Sequence, residues 1–190
     1  MMLKLRMALL TTLGLFAASI PLPSYCQQGQ GGELPEWQPD EARVQQLADE
    51  TRFEGWAIRP PRDYQHRVTP DANEKRYLWA KQGEGALVVI EANVPAGQVT
   101  PEKALEAYLN MLKSRARNLN QSPFERGLVN GKVFLRTRFS AEGLPGVPGS
   151  GFGFVYQTME GNKPMVITGS GTRATIENIE AAALTIRITP

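Results

Sequence analysis

The chain has 190 residues, a formal net charge of +2, one cysteine and one histidine. A lone cysteine excludes an internal disulfide framework, and one cysteine with one histidine excludes a conventional zinc site. So small a charge excess also excludes the basic surplus that non-specific nucleic-acid binding or polybasic membrane attachment requires.

Lys4 and Arg6 precede an uncharged apolar run from Met7 to Ile20 and a Pro-broken segment from Pro21 to Cys26. This reads as a secretory signal peptide over residues 1–26, and it predicts an exported product, periplasmic or secreted. The run of about 14 residues is shorter than the roughly 20 a helix needs to cross a bilayer, so the mature chain is expected to be soluble. Ser24 and Cys26 supply small side chains at −3 and −1 for a cut before Gln27. A cut after Ser19 competes with it and would leave Cys26 as a free or intermolecularly paired thiol. The bulky Tyr25 directly before Cys26 argues against a lipid anchor there. Without Lys4 and Arg6, basic and acidic residues balance at 19 each.

Residues 27–39 are rich in Gln, Gly and Pro and read as a flexible tether to a single domain over 40–190. Asp40 is placed to cap a helix from Glu41 to about Glu50. Phe53 to Arg59 is extended until Pro60-Pro61 stops it, Asp71-Ala72-Asn73 makes a turn, and strands follow near Arg76–Lys81 and Ala86–Val94. Thr100-Pro101-Glu102 is a strong helix start, with a hydroxyl cap, proline at the first position and an acid in the first turn. Ala104, Leu105, Tyr108, Leu109 and Leu112 recur on one face of that helix, which is expected to reach about Asn118, with Lys113, Arg115 and Arg117 at its negative end.

Asn130-Gly131 is a two-residue hairpin signal, because both turn positions must accept positive φ. It pairs Val129 with Lys132, Leu128 with Val133 and Glu125 with Arg136. One face then holds Phe124, Leu128, Val133, Leu135 and Phe139, and the other Glu125, Lys132, Phe134, Arg136 and Arg138. Gly143–Gly153 reads as a Gly/Pro loop, and Gly149-Ser150-Gly151-Phe152-Gly153 within it as a mobile hairpin loop. A second hairpin, Phe152–Thr158 with Pro164–Ser170, turns at Glu160-Gly161-Asn162, and a helix from about Ala174 to Ala183 leads into the β-rich Leu184–Ile188.

This order predicts an α+β domain, an antiparallel β-sheet with helices packed on its faces. The segment from Gly55 through Trp56, Ile58, Pro60 and Pro61 to Tyr64 resembles the opening strand of PsbP-like domains. The Thr100-Pro101-Glu102 helix after an apolar strand, the Asn130-Gly131 hairpin and the C-terminal helix ending in Leu184-Thr185-Ile186-Arg187 agree with it. The resemblance spans about Phe53 to Pro190. It implies an αβα sandwich used as an extracytoplasmic binding or assembly module, and it carries over no functional residues.

His66, between Gln65 and Arg67, reads as a solvated loop histidine, and no serine sits in a nucleophile elbow. The acid pairs Asp40/Glu41 and Asp49/Glu50 read as surface, and no loop has calcium-ligand spacing. No metal and no cofactor is expected. Gly171, Thr172 and Arg173, just before the last helix, form a candidate anion-binding turn, set against ordinary strand-to-helix turn chemistry. Lys132, Phe134, Arg136 and Arg138 form a candidate partner-binding patch for an envelope protein or acidic glycan, provided no helix covers that face. Glu125 is placed to neutralise Arg136, and Arg126, on the apolar side, must reach an edge or a carboxylate. The expected function is that of an exported, non-enzymatic envelope module. The alternatives are a carboxylate-based hydrolase or a carrier of a small apolar ligand.

Overall fold

The computed structural model describes residues 33–71, 74–92, 100–160 and 163–189, so the expected signal peptide and Cys26 lie outside the described residues. In chain order the elements are α1 (Glu41–Val44), β1 (Thr51–Phe53), β2 (Trp56–Ile58), β3 (Gln65–Pro70), β4 (Glu74–Lys81), β5 (Gly85–Ala92) and α2 (Pro101–Arg115). They continue with β6 (Arg117–Gln121), β7 (Glu125–Val129), β8 (Lys132–Glu142), β9 (Ser150–Glu160), β10 (Lys163–Gly171), α3 (Ile176–Leu184) and β11 (Arg187–Ile188).

Eight strands form one antiparallel sheet in the order β3-β4-β5-β10-β9-β8-β6, with β7 pairing the opening half of β8. A smaller sheet joins β1, β2 and β11. Each face of the large sheet carries a helix. Leu105, Leu109 and Leu112 of α2 pack on Leu135, Phe139, Val155 and Val166. Ile179, Ala182, Ala183 and Leu184 of α3 pack on Trp56, Leu87, Phe134, Phe154 and Ile167. The result is the expected α+β architecture, with apolar residues alternating between two cores along the central strands.

The local signals that carry a backbone mechanism hold. Asp40 Oδ1 accepts from the Ala42 and Arg43 N–H groups, and Thr100 Oγ1 accepts from Lys103 N–H. Asn130 and Gly131 turn with φ of 48° and 74°, and the β7–β8 register is the one read from the sequence.

Several boundaries differ. The first helix is a single turn, because Leu47 pairs with Pro61 and the Ala48 N–H donates to Pro60 O, ending a helix too short to persist alone. α2 stops at Arg115: Ala116 is extended, and Arg117 joins β6 opposite Glu142. The Gly143–Gly153 loop is shorter than expected, with β9 starting at Ser150. Gly153 belongs to that strand, paired with Phe139 and Ser170, and the Phe139 ring occupies the space a Cβ there would need. β3 and β6 are too polar to show an apolar period, and every residue of β3 is exposed along the sheet edge. The tether ends early. Pro35 O accepts from Leu128 N–H and Trp37 N–H donates to Leu128 O, so residues 35–37 dock alongside β7.

Candidate functional site

The structure takes apart the basic and aromatic patch read from Lys132, Phe134, Arg136 and Arg138. Phe134 is only 1 % exposed and belongs to the core beneath α3. Arg136 is buried, with Nε donating to Glu125 Oε2 at 3.0 Å and Nη1 to the Tyr156 hydroxyl at 3.4 Å, and its guanidinium lies 3.9 Å from the Trp37 ring centroid. The Tyr156 hydroxyl in turn donates to Glu180 Oε1, which also accepts from Arg138 Nε. Burial, then the Glu180 charge, push the Tyr156 phenol well above its ordinary range, so it stays a neutral donor. This is a satisfied internal network that anchors Trp37 and α3. Alternation along one hairpin reads the same whether its second face meets water or a roof, and here α3 and Trp37 are the roof.

The Gly171, Thr172, Arg173 turn does not present an anion cradle either. The Thr172 N–H donates to Thr175 Oγ1 at 3.0 Å and to Glu84 O at 3.3 Å, while Thr175 Oγ1 donates to Glu84 O. The Ile176 N–H donates to Thr172 O. These donors close the turn onto the β4–β5 connection, which is the ordinary turn chemistry. His66 lies in a strand, its ring stacked on Trp79 at 4.7 Å, and burial lowers its pKa.

Among the described residues a cleft lies on the α2 face, where β8 and β9 part. Their ladder runs from Glu142 opposite Ser150 to Leu135 opposite Gln157. Beyond it, side chains take over: Thr158 Oγ1 donates to Val133 O at 2.8 Å, and Gln157 Nε2 donates to Thr158 O at 2.9 Å. Between this fork and the first turn of α2 is a cleft of about 490 Å³, lined among others by Pro101, Glu102, Arg126, Lys132, Val133 and Gln157. That volume is typical of small-ligand sites, roughly 300–1,000 Å³.

Gln157 is 0 % exposed, and its Oε1 has no hydrogen-bond partner among the described residues. The bond from Nε2 to Thr158 O fixes the amide orientation, so the orphan is an acceptor. A buried acceptor left unpaired costs about 1–3 kcal/mol, which makes it an exception that calls for an explanation. Across the mouth, Arg126 Nη2 donates to Glu102 Oε1 at 2.7 Å, giving Arg126 the carboxylate its position demanded. Glu102 is held below its ordinary pKa, first by a hydrogen bond from its own backbone N–H, which outweighs the opposing effect of burial, and then by Arg126 and Thr100. Val133, 53 % exposed, gives the mouth an apolar lip.

Sequence reasoning picked out Lys132 and Arg126 for other reasons and missed Glu102, Val133 and Gln157. The available signal was a glutamine directly after the apolar run Phe152 to Tyr156, where a lone amide has to find partners. The arrangement offers an exposed cation, Arg126, at the mouth, an apolar lip at Val133, and a carboxylate already committed to Arg126.

Among the described residues no His, Cys, Asp and Glu cluster could hold a metal ion, and no helix is long and apolar enough to cross a membrane. No family model matches the chain, and no curated protein matches it. The fold is nonetheless PsbP-like, a mixed α+β arrangement built mostly on antiparallel strands. It is similar to the solution structure of cyanobacterial PsbP (CyanoP) from Synechocystis sp. PCC 6803, with a TM-score of 0.56 and 12% identity, covering 75% of this chain and 93% of that one. A crystal structure of a protein of unknown function from Pseudomonas aeruginosa is similar at a TM-score of 0.42 and 10% identity, covering 72% of this chain and 91% of that one, too remote to add to the fold assignment. At such identities the likeness is one of fold alone.

Proposed function

We propose that the protein is an exported, non-enzymatic module of the cell envelope that binds a ligand or partner in the cleft between the β8–β9 fork and the start of α2. The observation that carries this reading is a cleft of about 490 Å³ with the exposed Arg126 at its mouth and the exposed Val133 at its lip. Export rests on the charged, apolar and small-residue pattern of residues 1–26. Binding fits better than catalysis because the cleft's carboxylate is already ion-paired to Arg126, which suits it to structure more than to proton transfer.

The test is affinity capture from envelope extract of the source cell with the tagged full chain, beside Val133→Glu. Val133 is exposed, so the variant changes the lip and spares the core. A stoichiometric partner lost with Val133→Glu supports the reading. A partner retained by the variant moves the site elsewhere, and no partner at all removes the protein-binding form of the proposal.

A further inference from the structure

The two sides of the large sheet are not equally covered. On β5, Leu87 and Val89 are buried while Val88 and Ile90, which alternate with them, are only half-buried, and on β4 Leu78 is half-buried between the buried Tyr77 and Trp79. The buried set packs with α3 and the three-stranded sheet, so the half-buried set looks to the α2 side. We propose that this uncovered part of the α2 side, over β4 and β5 and apart from the fork cleft, docks an acidic amphipathic helix of a partner chain, its apolar stripe on Leu78, Val88 and Ile90 and its carboxylates at Arg67, Arg76 and Arg115.

The strand register fixes the floor. Thr69, Arg76, Ile90 and Val166 form one cross-strand row, and Arg67, Leu78, Val88 and Thr168 the next. α2 covers only the far end of these rows, packing on Val166 of β10, Val155 of β9 and Leu135 of β8. Its flank toward β5 is marked by Tyr108, whose hydroxyl donates to Thr168 Oγ1 at 2.9 Å, and the exposed Met111 follows one turn later on the same side. Strands lie about 4.8 Å apart, so two strand spacings match the roughly 8–10 Å between the axes of packed helices. The strip beside α2 therefore admits one further helix in contact with both α2 and the sheet.

Charge selects the kind of helix. Arg67 and Arg115 are exposed and pair with no carboxylate among the described residues, while Arg76 pairs with Glu74, the sole carboxylate that β3, β4 and β5 turn to this side. Burial raises the Tyr108 pKa against the opposing effects of its Thr168 bond and of the Arg76 and Arg115 charges, which places both guanidinium groups near that ring. Three cations around an apolar floor fit Asp or Glu residues bordering an apolar stripe, and they repel a basic helix. An anionic membrane surface fits less well, because the apolar residues here are a half-buried floor beside α2 and do not protrude to enter lipid.

The experiment places the photo-crosslinker p-benzoylphenylalanine in the full chain, in place of Thr69 at the exposed end of the Arg76 row or, separately, in place of Val133 on the cleft lip, and expresses each in the source cell. Mass spectrometry identifies the crosslinked segment. The Thr69 position is expected to capture one protein segment with apolar residues at helical spacing bordered by Asp or Glu. Arg67→Glu with Arg115→Glu should lower that yield at least tenfold at an unchanged urea midpoint, since both side chains are exposed. A synthetic peptide of the captured segment should bind the purified full chain, and its variant with Lys at the acidic positions should prefer the doubly reversed protein. Adducts with lipid alone, a segment without acids or helical spacing, a yield indifferent to the reversal, or no adduct would each overturn the proposal. Capture from Val133 but not from Thr69 leaves the cleft reading standing and removes this one, and capture from Thr69 alone does the reverse.

Discussion

Arg126 Nη2 lies 2.7 Å from Glu102 Oε1 and ties β7 to the first turn of α2 across the mouth of the cleft. The bond joins a strand edge to a helix end, so its charge state bears on both the cleft and the stability of α2. Glu102 is stabilised as the anion in the folded state, its pKa lowered from the ordinary 4.5. Its contribution is therefore complete above that value and is lost as pH falls through the lower, folded-state value. Glu102→Gln should destabilise the chain at pH 7 by no more than about 1 kcal/mol, as expected for a partly exposed pair. The variant should also show a shallower loss of stability on the acid side. Urea midpoints between pH 3 and 7 read both, and parallel curves for the two proteins would remove the role given to this carboxylate.

Gly127 and Trp37 form a second coupled pair. A Cβ at Gly127 would strike the Trp37 ring and lie 2.8 Å from Pro35 O. Gly127→Ala should push residues 35–37 off β7 and cost about 1–3 kcal/mol, the usual range for overpacking. The same change in a Trp37→Ala background should cost less, because much of the obstacle is gone. A double-mutant cycle with no coupling would mean that the segment does not dock as the structure shows it.

His66 is the only histidine of the chain, which makes its titration readable without assignment. Burial against Trp79 and Phe53 lowers its pKa below 6.5. The unfolded state then binds more protons between 6.5 and the folded value, so stability falls as pH drops through that window and levels off beneath it. An NMR titration of the imidazole checks the direction, and a midpoint at or above 6.5 would contradict the stacked geometry.

Legibility followed mechanism. The Asp40 and Thr100 caps and the Asn130-Gly131 turn rest on local backbone requirements, and local sequence carries those. The register of β7 with β8 followed from the turn alone. What failed was the judgement about the second face of the β7–β8 hairpin. Phe134 and Arg136 alternate as a half-solvated hairpin would, yet α3 arrives from forty residues later to cover them. β3 and β6 are held by pairing to Tyr77, Trp79 and Phe139 neighbours, a tertiary effect that their own polar sequences do not announce. The cleft was unreadable for the same reason, since Glu102, Arg126 and Gln157 come together only when α2 crosses the fork.

The covered hairpin face changes what charge reversal should do. Arg138 is half exposed and pairs with Glu180, whereas Arg136 is buried between Glu125, Tyr156 and the Trp37 ring. Arg138→Glu should cost about 1 kcal/mol, from a surface pair turned repulsive. Arg136→Glu should cost about 3 kcal/mol or more, because it sets a second carboxylate beside Glu125 in a site without a cation. Trp37 fluorescence should shift to the red in the second variant alone. Equal costs for the two reversals would return this face to solvent and with it the docking patch that the sequence suggested.

Asn130 links the most legible turn to the end of α3. Its Nδ2 donates to Leu184 O at 3.3 Å and to Ile186 O at 2.7 Å, satisfying carbonyls that the end of the helix leaves open. Its own φ is 48°, a region that costs a residue with a Cβ roughly 1–2 kcal/mol unless, like Asn, it compensates locally. Asn130→Ala loses both the bonds and the backbone tolerance, so it should destabilise by about 2–3 kcal/mol. Asn130→Gly keeps the backbone tolerance and loses only the bonds, so its cost should be closer to 1 kcal/mol. Chemical unfolding separates the two. A glycine variant as damaged as the alanine one would mean that the side-chain bonds to α3 dominate, and a glycine variant at wild-type stability would mean that they contribute nothing.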